Sequence, residues 1–488
     1  MTGKSEREIR LEKIQELKEQ GINPYPNRYT PEDYSDAIHE KFEKNEEAFS
    51  VKIAGRVILK RVFGKALFMT VRDERGGIQI YGQKNELGED KYNLLKKKVD
   101  IGDIIGVEGE VFKTHKGETT VNVKDFELLS KALNPLPEKF HGLTDIELRY
   151  RQRYLDMIVN PEVKDSFVFR SKVGQFIRQY LYEKGFIEVE TPILQAIPGG
   201  AAAKPFITHH NALSMDLYLR IAPELYLKRV ITGGIEKVFE MGRVFRNEGM
   251  STRHNPEFTI LELYEAYSDF NGMMELTEDL FSKLIKDMKG SYEVEYQGKT
   301  YDFTTPWKRI RMDEAVKEHT GIDINEIKDR DELEKKALKL KLNPEEVKGA
   351  SFWKIFNLIF EAEVEEKLEG PVFVTHYPAE TSPLAKQDPE NPDFVERFEL
   401  FIAGREHANA YSELNDPVLQ RERLKAQATA KSAGDDEAMF FDEDFVHCLE
   451  YAMPPAGGLG VGIDRFLMIL LNAPSIRDTL LFPHMRPE

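Results

Sequence analysis

Arg243-Val244-Phe245-Arg246-Asn247-Glu248 and Glu257-Phe258-Thr259-Ile260-Leu261-Glu262-Leu263-Tyr264-Glu265-Ala266-Tyr267 are two runs of alternating apolar and polar residues, joined by the polar stretch 249–256. The pattern predicts a β-hairpin, because side chains alternate across a strand with period two. Phe258, Ile260, Glu262 and Tyr264 share one face of the second run, and Arg246 and Glu248 share a face of the first. A sheet face that holds an arginine, two glutamates, a phenylalanine and a tyrosine is no ordinary core, since charges taken out of water need partners or a ligand. Two readings stay open on these residues alone: a ligand site, or an internal Arg–Glu ion-pair network.

Two further segments resemble this one in character. Arg397-Phe398-Glu399-Leu400-Phe401, Gly404-Arg405-Glu406 and Asn409-Ala410-Tyr411-Ser412-Glu413 put Asn409, Tyr411 and Glu413 on one strand face and the small residues Ala408, Ala410 and Ser412 on the other. Glu399 and Glu406 flank the glycine turn, and hard oxygen ligands of this kind suit Mg2+ bound jointly with phosphate; solvated acids are the competing reading. In Pro454-Pro455-Ala456-Gly457-Gly458-Leu459-Gly460-Val461-Gly462-Ile463-Asp464-Arg465, glycines at 458, 460 and 462 leave one strand face bare. A flat ligand can then lie against backbone, and Arg465 falls where a following helix would begin, near its positive end. Close helix–strand packing would account for the same glycines. The segment is not a dinucleotide fingerprint, because Ile463 stands where a third glycine is required, and Gln83 replaces the lysine that a phosphate-binding loop at Gly77–Gly82 would need.

The 488 residues are 41% hydrophobic and 31% charged, enough apolar material for a large core and for two to four domains. Cys448 is the single cysteine, which excludes an internal disulfide and a thiolate zinc cluster and points to a cytoplasmic chain. Met1–Lys13 lacks an apolar signal region, and Phe466–Ile476 is too short to span a bilayer, so no membrane association is expected. The net charge of −17 argues against a general coat for nucleic acid, but 51–135 holds 16 Lys/Arg against 12 Asp/Glu, a surplus of 4, which leaves −21 on the remainder. A locally basic module can still hold RNA.

That module has short β-rich runs at Val51–Val57, Ala66–Arg72, Gly77–Tyr81, Ile104–Phe112 and Thr119–Phe126, with one helical stretch near Tyr92–Lys98. Five short strands and one helix predict a small closed barrel of the oligonucleotide-binding kind. Expected around it are an N-terminal helical extension over 1–50, with an exposed helix at Ser5–Gln20, and a linker over 136–150. An α+β domain is expected over 151–488, carrying a charged, mostly helical insertion at about 290–392.

Together the three segments resemble the signature motifs of the class II aminoacyl-tRNA synthetases, in that family's order. The first motif matches Phe167–Tyr182 with Gly185-Phe186-Ile187-Glu188-Val189-Glu190-Thr191-Pro192, the second Phe245-Arg246-Asn247-Glu248 with its loop and strand, and the third Gly458–Arg465. The likeness runs from about Lys4 to Pro487. Within the class, Arg253-His254-Asn255-Pro256-Glu257-Phe258-Thr259 and Ser412-Glu413-Leu414-Asn415-Asp416 are similar to the bacterial-type lysine enzymes. The resemblance implies an antiparallel sheet flanked by helices behind an N-terminal OB-fold barrel, a homodimer, and a ligase that joins L-lysine to tRNA(Lys) with ATP and Mg2+.

The resemblance also implies roles. Arg246 holds the α-phosphate and the amino-acid carboxylate, and Arg465 holds the γ-phosphate end of a bent ATP. Glu248, His254 and Asn255 contact the nucleotide, Phe258 stacks on adenine, and Glu399 and Glu406 bind Mg2+, placing Glu399 in the ATP site as well. Glu224 with Gly200 takes the α-amino group; Glu262, Tyr264 and Glu413 surround the ε-ammonium, and Asn409 and Tyr411 belong to the same pocket. Phe68 and Gln79 read anticodon bases, while Arg61 and Lys60 hold phosphate. The pocket assignment also has a physical basis: a long cationic side chain needs desolvated anions at its far end. A tRNA-binding regulator with a degenerate site, and an enzyme that attaches lysine to protein, are the alternatives.

Overall fold

The computed structural model describes residues 4–45, 47–137, 143–435 and 438–487, so residues 138–142 of the expected linker lie outside the described residues. The chain divides into two compact units, Met1–Thr144 and Asp145–Glu488.

In the first unit, β1 (Ser50–Phe63), β2 (Ala66–Arg72), β3 (Gly77–Gln83), β4 (Ile104–Lys113) and β5 (Thr119–Ser130) close into a barrel in the order β1-β2-β3-β5-β4. Alternation fixes which side faces in: Leu67, Met69 and Val71 of β2 and Ile78 and Ile80 of β3 are buried, with polar or half-exposed residues between them. The first helix, Glu6–Glu19, starts at a capping box between Ser5 and Glu8. It is not the exposed helix the charges suggested. Leu17 joins the barrel core and Ile14 is also buried, while Ile9 remains exposed. One apolar stripe at i and i+3 suffices to dock a helix whose remaining residues are mostly charged.

The second unit is built on an eight-stranded sheet whose strands come from distant parts of the chain. In chain order these are β6 (Ile187–Glu188), β10 (Lys237–Phe245), β11 (Glu257–Ala266), β14 (Lys308–Arg311), β15 (Val372–Pro378), β16 (Phe394–Ile402), β17 (Arg405–Ser412) and β18 (Ala456–Gly462), while β7 (Leu194–Gln195), β8 (Ile207–His210) and β9 (Met215–Leu219) form a separate three-stranded sheet. The spatial order is β14-β15-β16-β17-β18-β11-β10-β6. All neighbours are antiparallel except β6 with β10 and β14 with β15.

Parity divides the sheet into a packing face and a working face. Leu261 and Leu263 of β11, Ala408 and Ala410 of β17 and Leu459 and Val461 of β18 are buried against the helices Pro161–Glu183, Phe270–Lys289 and Ile463–Leu470. Their alternates, Glu262, Tyr264, Asn409, Tyr411, Gly458 and Gly460, point the other way. Asp464, in the first turn of Ile463–Leu470, accepts from Thr259 N at 2.6 Å and pairs with Arg170, which ties β11 to two of the helices.

The region 290–392 differs from the mostly helical insertion expected there. It does carry helices at Met312–Thr320, Arg330–Lys339 and Phe352–Glu363, but it also holds the hairpin β12 (Glu293–Tyr296) and β13 (Lys299–Asp302) and supplies β14 and β15 to the main sheet. Val372, Phe373 and Val374 are all buried, so β15 is covered on both faces and shows no alternation to read.

Candidate active site

The working face of the sheet is the floor of a cavity of about 1310 Å³. Its centre is β18, whose glycines keep the floor low while the flanking strands supply side chains. Tyr411, Gly458 and Tyr264 lie in one row across β17, β18 and β11, and Asn409, Gly460 and Glu262 lie in the next. Glu262 and the β17 residues were expected on neighbouring strands; one glycine strand separates them. Gly458 has no room for a side chain, because a Cβ there would run into the Glu413 carboxylate and lie 2.5 Å from the Tyr264 ring. At Gly460 the nearest atom is 3.7 Å away.

At one end the cavity is rich in cations and hydrogen-bond donors. Arg246 and Glu248 were expected on a strand face. They lie instead in the loop beyond β10, because β10 begins as early as Lys237 and pairs with all of β11 before it ends at Phe245. Arg246 N donates to Pro256 O at 2.8 Å, which extends the ladder by one step and aims the guanidinium into the cavity. Its Nε is buried without a hydrogen-bond partner, and its Cζ sits 5.2 Å from the Phe258 ring centroid. Arg465 is held from two sides: Nη1 donates to Glu406 O at 3.0 Å and to Glu406 Oε2 at 3.2 Å, and Nη2 lies 3.0 Å from His254 Nε2. Burial and the nearby Arg465 charge lower the His254 pKa, so its neutral ring accepts that bond. Asn255, Phe258 and Glu248 line the same end, and Asn255 Oδ1 is buried and unpartnered. This end can hold a polyanion beside a flat ring.

The opposite end is acidic. Glu224 opens the helix Glu224–Thr232 and is 5% exposed, as is Glu262. Tyr411 Oη donates to Glu224 Oε1 at 2.5 Å, and Gly200, at φ +87°, packs so close that a Cβ would lie 2.8 Å from Glu224 Cβ. Burial, with Glu224 alongside, holds the Glu262 carboxyl well above the usual carboxylate range. Glu413 departs from expectation. β17 ends at Ser412, and Glu413, 1% exposed, does not line the open cavity. Its Oε2 lies 2.5 Å from Lys228 Nζ, an ion pair whose angle falls outside hydrogen-bond geometry. Burial pushes its pKa up to about 8 against the pull of Lys228. The ammonium that draws Glu413 inward was missed in the sequence, although Glu224 and Lys228 stand four apart on one helix, the spacing of an intrahelical ion pair.

A further carboxylate cluster centres on Glu399 of β16. Glu399 accepts from Tyr377 Oη at 2.9 Å and from Arg397 Nη2 at 2.5 Å. Burial raises its pKa to about 7, with Arg397 pulling it down and Glu406 pushing it up. Glu365 is raised to about 8 by burial and by Glu399, Glu361 and Glu406. Arg397 and Glu365 were not anticipated either; Arg397 also donates to Asn409 Oδ1 at 2.9 Å and so joins this cluster to the floor.

In the barrel unit, Phe68 stacks on Tyr81 with ring centroids 4.6 Å apart, and Phe63 and Phe112 extend the row at 6.2 and 6.0 Å. Gln79 Nε2 donates to Thr120 Oγ1 at 2.9 Å, and exposed Arg61 pairs in register with Phe68. Lys60 does not reach outward as expected. Its ammonium donates to the carbonyls of Lys96 and Val99, and burial lowers its pKa to about 8.

Comparison with known families gives this geometry a context. The family model described as tRNA synthetases class II (D, K and N) matches residues 145–486. The chain belongs to the class II tRNA synthetases. An OB-fold nucleic acid binding domain matches residues 51–129 of this synthetase. Among similar curated proteins are those named Lysine--tRNA ligase from Syntrophomonas wolfei (54% identical over 483 residues, 99% of this chain and 97% of the relative) and Carboxydothermus hydrogenoformans (55% over 480 residues, 98% of each). A third with that name, from Moorella thermoacetica, is 52% identical over 480 residues, 98% of this chain and 97% of its own.

The two floor glycines of the synthetase should respond differently to a methyl group. Gly458→Ala, which overpacks the site at Glu413 and Tyr264, is expected to cost about 1–3 kcal/mol of stability. Gly460→Ala should change it by less than about 0.5 kcal/mol. Chemical denaturation of the two variants checks this, and equal losses would contradict the packing described for the floor.

Proposed function

We infer that this synthetase is a lysine–tRNA ligase: it activates L-lysine with ATP and passes the lysyl group to tRNA. The observation that carries this reading is the set of buried carboxylates at the end of the cavity away from Arg246 and Arg465. Desolvated anions there favour an amino acid with a cationic side chain, where an acidic side chain would need arginine or lysine.

The assignments are those the family resemblance implies, and the polarity of the cavity supports them. Arg246, with its unpartnered Nε, binds the amino-acid carboxylate and the α-phosphate, and Arg465 binds the γ-phosphate end of ATP. Phe258 offers its ring to adenine, with Asn255, His254 and Glu248 around the nucleotide. Glu224 and Gly200 take the α-amino group, Glu262 and Tyr264 meet the ε-ammonium, and Asn409 and Tyr411 wall the chain between them. Glu413 acts from behind this layer. Activation forms a bond from the lysine carboxylate oxygen to the α-phosphorus and breaks the bond to the bridging oxygen, so pyrophosphate leaves with the electron pair. Arg246 and Arg465 stabilise the added negative charge, and the pocket holds the attacking oxygen in place. In the second step the terminal ribose hydroxyl of tRNA attacks the lysyl carbonyl and AMP leaves; no side chain of the enzyme is a nucleophile.

Mg2+ suits Glu399 and Glu406. Burial and the nearby Glu406 charge raise the pKa of Glu399, and a divalent cation would relieve that repulsion. No group of three or more metal-binding side chains exists among the described residues, so phosphate oxygens would have to complete the coordination. Bound there, Mg2+ would neutralise phosphate charge.

The barrel, residues 51–135, is assigned to the anticodon, with Phe68 stacking on a base and Gln79 and Arg61 beside it; residues 151–488 are assigned to the chemistry. A homodimer is supported by exposed apolar residues near the first motif, including Tyr182, Ile187, Leu194 and Ile207. No helix of the described residues is long and apolar enough to cross a membrane, and a partner such as tRNA agrees with a cytoplasmic location.

Charging purified tRNA(Lys) with labelled lysine tests the reading directly: lysyl-tRNA should accumulate, and its absence alongside intact ATP binding would refute it. Glu262→Gln should weaken lysine binding by about 2–5 kcal/mol and leave ATP binding nearly unchanged, measured as separate KM values. Phe68→Ala should leave lysine-dependent pyrophosphate exchange intact and raise the KM for tRNA, since base stacking contributes about 1–3 kcal/mol. A collapse of exchange in that variant would contradict the division of labour between barrel and catalytic unit.

A further inference from the structure

Lys228 lies outside the cavity lining, one turn along its helix from Glu224. Its side chain is 1% exposed, and its Nζ is 2.6 Å from Glu224 Oε1 and 2.5 Å from Glu413 Oε2. Every element packed against the ammonium presents a group to it. Glu224 comes from its own helix, Tyr411 and Glu413 from β17 and the residue after it, and Tyr264 and Glu262 from β11. The helix Glu443–Leu449 contributes only the uncharged ring of Phe445, 5.9 Å away. A buried ammonium persists only where anions compensate it, and a buried carboxylate has the same need.

The formal charges of the pocket then form a simple balance. The carboxylates of Glu224, Glu262 and Glu413 face the cations of Lys228 and Arg246, which leaves one negative charge. L-Lysine, with two ammonium groups and one carboxylate, brings one positive charge. Without Lys228 the filled pocket would keep an uncompensated anion; Glu413 would lose its ion-pair partner, and Glu224 would keep only the Tyr411 hydroxyl.

We propose that Lys228 is a positioning residue for amino-acid selection: its buried ammonium locks Glu224 and Glu413 in place and sets the pocket charge that one bound lysine cancels. This rests on the reading of the cavity as a lysine site. Lys228 touches no substrate; it acts through the two carboxylates that flank the substrate position.

The test is Lys228→Met, close in length and uncharged, assayed by pyrophosphate exchange in the full-length enzyme. The KM for lysine should rise by at least about tenfold while that for ATP stays within about threefold. The acid limb of kcat/KM for lysine should also move to higher pH, because Glu413 loses the cation that favours its ionised form. A packing role alone would leave that limb where it is. If Lys228→Met does not fold, the pair Glu413→Gln and Lys228→Met/Glu413→Gln gives the same answer. With Glu413 already neutral only the Glu224 contact is left to lose, so adding Lys228→Met should raise the lysine KM by less than the roughly tenfold expected of the single variant.

Unchanged lysine KM in Lys228→Met, equal losses for lysine and ATP with an unmoved acid limb, or additive losses in the double variant would each overturn the proposal. Failure of the unaltered enzyme to activate lysine would instead overturn the reading of the site on which the proposal rests.

Discussion

The structure depends on a strand with almost no side chains on one face. β18 runs through the middle of the sheet, and its glycines let β17 and β11 lean their polar groups over a bare floor from both sides. The opposite face of the same three strands carries Leu261, Leu263, Ala408, Ala410, Leu459 and Val461 and packs on helices. One alternation of side chains therefore produces core and cavity together. Because the core side is fixed, so is the register, and a slip of one residue would turn Glu262 and Tyr264 into the core.

The cavity built on this floor is polarised. Arg246 and Arg465 stand toward one end and Glu224 and Glu262 toward the other, while Glu406 pairs with Arg465 and Glu399 lies in register with Asn409. Such an arrangement suits a reaction in which a carboxylate must approach a phosphate. The two anions repel in water, and the arginines remove that repulsion while the carboxylates at the far end orient the amino acid by its ammonium groups. Burial strengthens each of these contacts, and it also raises the pKa of Glu262, Glu399 and Glu413, so these acids are balanced against a cation that each requires.

Much of this was legible in the sequence. The barrel strands could be read from alternation and turn residues, because each buries one face. The rows of the floor could be read from the parity of Glu262, Tyr264, Asn409 and Tyr411 and from the spacing of the glycines. The remainder was hidden for specific reasons. β15 is buried on both faces and shows no period, so 290–392 looked helical. Arg246 looked like a strand residue because local alternation does not say where pairing stops. The depth of Glu413 and the role of Lys60 depend on partners distant in sequence, Lys228 in one case and the end of the helix Glu89–Lys97 in the other.

The central claim is that buried anions choose the substrate by its charge. It is tested most directly by pyrophosphate exchange with L-lysine and with L-norleucine, which has the same chain length without the terminal ammonium. Leaving the buried carboxylates unpaired should lower kcat/KM for norleucine by a factor on the order of 10⁴. Activation of norleucine within about tenfold of lysine would mean that the pocket reads length and shape, and the electrostatic account would be wrong.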